Sequence, residues 1–103
     1  STVNGMVYVH GNRGDYDGWA EDPGLAHWCY EKVLPYFRKS EHHMNAVSEG
    51  RGQQGPMKIT AAYGRSPLSR VFVQAGTEAG FPTNDEINGA DQEGFGLLSL
   101  FSS

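Results

Sequence analysis

Apolar and polar positions follow a clear period in only three stretches of the chain. From Tyr30, apolar residues recur at Val33, Leu34 and Phe37, and the i, i+3, i+4, i+7 spacing predicts a helix over Tyr30–Glu41. Pro35 interrupts it, so the helix either kinks there or takes Pro35 into its first turn. Arg38 and Lys39 near its end suit the negative pole of the helix dipole. Met57, Ile59 and Ala61 alternate with Lys58 and Thr60, which predicts a strand. The clearest element follows. Ser66 is a good N-cap, Pro67 takes the first helical position, and Leu68, Val71, Phe72, Ala75 and Ala79 mark one face. Gly80 closes this helix and Pro82 prevents its continuation.

Between these stretches the pattern is weaker. Asp15 to Trp19 can make one helical turn with Tyr16 and Trp19 on one face. Glu21-Asp22-Pro23-Gly24 reads as a turn, Asn84 to Gly89 as a polar turn region, and Phe95 to Phe101 as a second strand. His42 to Gly55 has no period and reads as a mobile excursion. Two helices and two or three strands without a βαβ repeat give an α+β class. Two lone strands do not make an independent sheet in water, so they join a larger sheet or leave the chain marginally stable.

Composition narrows the partners. The 103 residues are 38% hydrophobic and include 14 glycines and 5 prolines, a loop-heavy balance with little apolar material for a self-contained core. The net charge is −4, and the eight Lys and Arg are scattered with only Arg38-Lys39 adjacent, so no basic stripe exists to meet nucleic acid. No apolar run approaches the length of a membrane span. The single cysteine, Cys29, excludes an internal disulfide, fits a reducing compartment and reads as a buried structural thiol between Trp28 and Tyr30; the expected location is cytoplasmic, with a peripheral place on the inner membrane as the alternative.

Several motifs invite a functional reading and fail on context. Gly50-Arg51-Gly52-Gln53-Gln54-Gly55 satisfies GxGxxG, but a dinucleotide site needs a strand before it and a helix N-terminus after it. Here the polar NAVSE precedes it, and Pro56 with a strand pattern follows. Arg13-Gly14-Asp15 is an adhesion tripeptide of a kind that arises easily by chance. His42-His43 beside Glu41 lacks ligand spacing for a metal and reads as a solvated loop, so no metal site is expected. His10 and His27 are isolated, with surface or local hydrogen-bonding roles. Asp85-Glu86 and Asp91 with Glu93 read as solvated turn carboxylates.

The opening stretch remains: STVNGMVYVHGNRGDYDGW, Ser1 to Trp19. Read alone, its Asn-Gly step, short apolar run and second glycine turn describe either a hairpin edge or a segment whose backbone donors can approach a planar ligand. The string resembles the flavin-proximal segment of the glucose-methanol-choline (GMC) oxidoreductases. The resemblance continues through DPGLAHWCYEKVLPYFRKSE, GPMKIT, SPLSRVFVQAGTEAGF and NDEINGADQEGFG, and it is nearest the choline and aliphatic alcohol dehydrogenase branch.

That resemblance implies a fragment of a two-domain FAD flavoprotein. Residues 1–24 would belong to the flavin-facing segment of the FAD-binding domain. Residues 25–103 would begin a substrate domain built on an antiparallel sheet packed by helices, with Gly94, Phe95 and Gly96 leading a strand into one cavity wall. It implies that Asn4, Gly5, Met6 and Val7 line the isoalloxazine with Ser1 close by, where preorganised donors stabilise charge on the ring. Val3 stands where some members carry a flavin-linked His, which implies non-covalent FAD. The substrate would be a small alcohol, the electron acceptor is unknown, and the remainder of the same polypeptide is the chief partner. The family's usual Arg after Tyr-Val is His10 here, leaving a common charge in doubt. The proton-accepting His of the family lies outside these residues, so no catalytic residue is assigned and the chain alone is expected to be inactive. A redox-silent relative of the hydroxynitrile lyase type and a small binding module acting through Arg13-Gly14-Asp15 are the alternatives.

Overall fold

The computed structural model describes residues 3, 5–44, 50–61 and 66–101. Among these, four short strands and three α-helices follow the chain: β1 (Val7–Tyr8), α1 (Arg13–Trp19), a 3-10 helix (Pro23–Trp28), α2 (Tyr30–Ser40), β2 (Glu41–His43), β3 (Met57–Ala61), α3 (Pro67–Glu78) and β4 (Ser99–Phe101). The strands form one sheet in the order β1-β4-β3-β2. β4 runs antiparallel to both β1 and β3, and β2 lies parallel to β3 with Glu41 opposite Met57 and His43 opposite Ile59. This is the α+β class, and the second strand and its partners do join a sheet.

Each helix begins where a side chain satisfies its free amides. Asn12 caps α1 by accepting from Gly14 N at 3.1 Å, so the predicted single turn is a seven-residue helix. Asp22 caps the 3-10 helix through Gly24 N, turning the expected bend into a short helix. α2 starts at Cys29 without a side-chain cap of its own; Asp17 of α1 supplies it, accepting from Tyr30 N at 3.0 Å. Cys29 is half-buried rather than buried. Pro35 lies inside one helix, not in its first turn. Ser66 caps α3 through Leu68 N, and Gly80, at φ 95°, ends it as expected.

The core is small. Tyr8, Tyr30, Val33 and Ile59 are its buried apolar residues among those described, with Ile59 on the central strand fully enclosed. α3 departs from expectation in its packing. Leu68, Val71 and Phe72 of its apolar face lie exposed, and the helix meets the rest at Gly76, where a Cβ would overlap the Phe95 ring. The last strand is confined to Ser99–Phe101. Phe95 sits instead in an isolated bridge with Thr83, its N–H donating to Pro82 O and its carbonyl accepting from Asn84 N, and Gly94, at φ 125°, and Gly96 lie where a Cβ would meet the Asn84 turn.

The stretch after α2 is the main correction. At its described ends, 42–44 and 50–55, the expected excursion is ordered: α2 passes straight into β2, His43 N donates to Gly52 O at 2.9 Å and Gly55 N to Glu41 O at 2.9 Å, while residues 45–49 lie outside the described residues. The glycines of the GxGxxG string explain the close approach. A Cβ on Gly52 would strike the Arg38 carbonyl, and one on Gly55 would strike the Ser40 backbone. No helix starts after them, since β3 follows.

Candidate functional site

The opening segment turns one side outward and fastens the other. Val7 and Val9 are exposed, whereas Tyr8 and His10 are buried, the two-residue alternation of an extended chain. Val3 and Met6 are exposed as well. Met6 adopts φ 59°, a left-handed conformation uncommon for a side-chain-bearing residue and held only where neighbours over-determine it. One such restraint is Phe101 N donating to Met6 O at 2.9 Å. Gly5 is exposed, and among the described residues beyond its chain neighbours a Cβ there would meet only a Val7 methyl, at 3.9 Å. A flat ring can therefore lie against the main chain from Gly5 to Val7, and these residues fit a planar cofactor. Ser1 and Asn4 lie outside the described residues.

Behind the strand lies a buried polar cluster that sequence reading did not find. Glu41 is fully enclosed and its carboxylate accepts from Arg51 Nε at 3.1 and 3.3 Å and from Gly52 N at 2.8 Å. His10 Nε2 lies 3.4 Å from Glu41 Oε2 and donates in the tautomer protonated there. Arg51, itself buried, reaches Glu86 Oε1 at 2.8 Å with Nη1. Asn88 bonds twice to β1 and its extension, accepting from His10 N at 2.8 Å and donating to Tyr8 O at 3.0 Å. The His10 ring stacks on Phe37 with centroids 4.5 Å apart. Hence Glu41 and His43 are not a solvated loop, Glu86 is not a free turn carboxylate, and His10 is an interior residue.

Burial sets the ionisation of this cluster. For Glu41, burial pushes the carboxyl up, but the His10 and Gly52 hydrogen bonds and the Arg51 charge outweigh it and hold it below the usual range. Burial, then the nearby Arg51 cation, pushes His43 down. The Tyr8 phenol is raised to about 12, chiefly by burial and secondly by the Glu41 charge.

The signal for this cluster was present but faint. His10 occupies a position where the resemblance leads one to expect a cation. Arg51 is a lone cation between glycines that let it approach the end of α2. Neither residue shows from its own neighbours that Glu41 is its partner. Among the described residues no group of His, Cys, Asp and Glu could hold a metal. A cleft of about 660 Å³, lined by Tyr16, Trp19, Trp28, Tyr36 and Phe37 among others, does not include Gly5, Met6 or Val7. Arg13 of the adhesion-like tripeptide lies over the Tyr30 ring at 4.8 Å in the first turn of α1.

Residues 1–102 match the family described as GMC oxidoreductase. The oxygen-dependent choline dehydrogenase of Pseudomonas syringae pv. syringae is 48% identical over 99 residues, covering 95% of this chain and 17% of that protein. Pyridoxine 4-oxidase from Mesorbium loti superposes on 100% of the chain with a TM-score of 0.85 and 30% identity, over 20% of its own length. An FAD-dependent oxidoreductase from Chaetomium thermophilum superposes on 90% of the chain with a TM-score of 0.76 and 29% identity, over 18% of its length. The chain thus spans a fifth or less of each protein it resembles.

Proposed function

The chain belongs to the GMC oxidoreductase family, and on that premise we propose that it forms part of a larger FAD-dependent oxidoreductase that converts a small alcohol, choline or a close analogue, to an aldehyde. The observation that carries this reading is the open front of β1: an uncovered Gly5, a left-handed Met6 and exposed valines on a strand whose back is fastened into the protein. When bound, FAD supplies the two-electron acceptor for the alcohol oxidation. Gly5, Met6 and Val7 bring main chain close to the ring, with Ser1 and Asn4 assigned beside them by resemblance. The Val7 and Val9 side chains shield that face from water. Val3 offers no nucleophilic nitrogen, so the cofactor is held without a covalent bond.

Residues 1–24 are assigned to the flavin-facing segment and residues 25–103 to the start of the substrate domain, with β1 crossing the seam to pair with β4. His10 and His43 are both buried, with His10 turned to Glu41, so neither is assigned as proton acceptor. The choline dehydrogenase relative is named for oxygen, and oxygen is the electron acceptor proposed here.

The test uses the full-length protein that carries this segment, mixed with choline without air. Bleaching of a visible flavin band is the expected result, and acid precipitation leaves the yellow cofactor in the supernatant. A colourless protein refutes the reading. A flavin that no alcohol bleaches indicates the redox-silent alternative.

A further inference from the structure

β1 is an outer strand of the sheet and only two residues long, too short to hold its position by pairing alone. Its ladder with β4 ends at Tyr8 opposite Ser99. There the Asn88 carboxamide takes over. Its Oδ1 accepts His10 N–H at 2.8 Å and its Nδ2 donates to Tyr8 C=O at 3.0 Å, so one side chain reproduces the donor and acceptor of a neighbouring strand.

Asn88 is in turn held from behind. It is 2% exposed, and its own amide donates to Glu86 Oε1 at 3.2 Å, the same oxygen that receives Arg51 Nη1. Arg51 Nε bonds Glu41, and Glu41 Oε2 receives the His10 imidazole. These bonds close a ring that leaves His10 by its main chain and returns by its side chain. The ring is buried except at Glu86, which is partly exposed; its members polarise one another, and each depends on the next. The same short segment carries the left-handed Met6, a conformation that relaxes unless its flanks are fixed.

We propose that Asn88 is a positioning residue, clamping β1 through this ring so that Gly5 to Val7 keep one height against the flavin. The proposal rests on the FAD reading above, and the experiment separates the two. In the full-length protein, amide exchange at His10 is measured with and without FAD, for wild type and Asn88→Ala. Ile59→Val, a loss of one core methylene on β3, serves as a control for plain destabilisation.

In the wild type the His10 amide is protected and FAD slows its exchange further, because coupling between strand and cofactor is reciprocal. Asn88→Ala speeds that exchange and weakens FAD binding, each by about tenfold, the scale of a buried hydrogen-bond pair lost. It also shifts the visible flavin band and the reduction potential. Ile59→Val lowers Tm and moves neither band nor potential. A His10 amide that exchanges freely in the folded wild type, or one that FAD leaves unchanged, overturns the clamp even if Asn88→Ala does not fold. An unmoved band and affinity in a folded Asn88→Ala overturn it as well. Failure of the FAD reading is seen separately, as a wild type without colour.

Discussion

Glu41 has its four closest polar contacts supplied by three residues on two distant segments, His10 on one and Arg51 with Gly52 on the other, and that makes it the residue on which the interior is most sensitive. Removing its charge leaves Arg51 buried with Glu86 as its one acidic partner among the described residues. Glu41→Gln is therefore expected to lose about 3 kcal/mol in urea unfolding, whereas Glu41→Met with Arg51→Met recovers much of that loss, because replacing a buried pair together avoids the orphaned ion. The pH dependence follows from direction alone. His43 and Glu41 both titrate lower folded than unfolded, so each stabilises above its unfolded value and the contribution is lost as pH falls. Stability should drop in two acid steps, one beginning below pH 6.5 for His43 and one below pH 4.5 for Glu41. At the alkaline end Tyr8, raised to about 12, has the opposite sign: its contribution is whole below pH 10 and lost as pH rises towards 12. Urea midpoints across pH check this, and His43→Asn should erase the first acid step while leaving the second.

At the scale of elements, the helix caps and breaks were legible and the packing was not. Ser66, Pro67 and Gly80 place α3 from sequence because capping and left-handed geometry are local demands. Met57 to Ala61 alternates visibly and is β3. β2 escaped notice because three polar residues, Glu41-His42-His43, have no apolar alternation; their burial comes from Arg51 and Ser99 across the fold. α3 makes its tightest contact at Gly76 against Phe95, beside the Phe72–Phe95 ring pair and the Thr77–Thr83 hydroxyl bond. Gly76→Ala should push that ring aside at a cost of about 1–3 kcal/mol. Its signature is faster amide exchange across Pro67–Glu78 with little change at β3, and uniform protection of α3 in that variant would show that the helix is held elsewhere.

For the molecule as a whole, the small core and the open apolar surfaces belong together. Leu68 and Phe72 on α3 line a groove of about 450 Å³ with Leu98 and with Leu100 of β4, and Val71 is exposed as well. Four enclosed apolar side chains among the described residues make a small core. Separated from the rest of a flavoprotein, the chain is expected to self-associate, to unfold at low denaturant and to oxidise no alcohol. Leu68→Ser with Phe72→Ser should reduce that association in sedimentation with little change in the urea midpoint, since both side chains are already exposed.

The sequence by itself determined what depends on near neighbours or on a long ordered string. Caps, the central strand, the α+β class and membership of the flavoprotein family are of that kind, the last because several blocks occur in order over nearly the whole chain. Tertiary structure alone decided that His10, Glu41, Arg51, Glu86 and Asn88 form one ring, buried except at Glu86. Residues as far apart as His10 and Asn88 are joined there by side-chain bonds, and a hydrogen bond between distant positions leaves no period in the chain. It also decided that the predicted apolar face of α3 stays uncovered: amphipathic spacing says which side of a helix is oily, and only the neighbouring elements say whether anything lies against it.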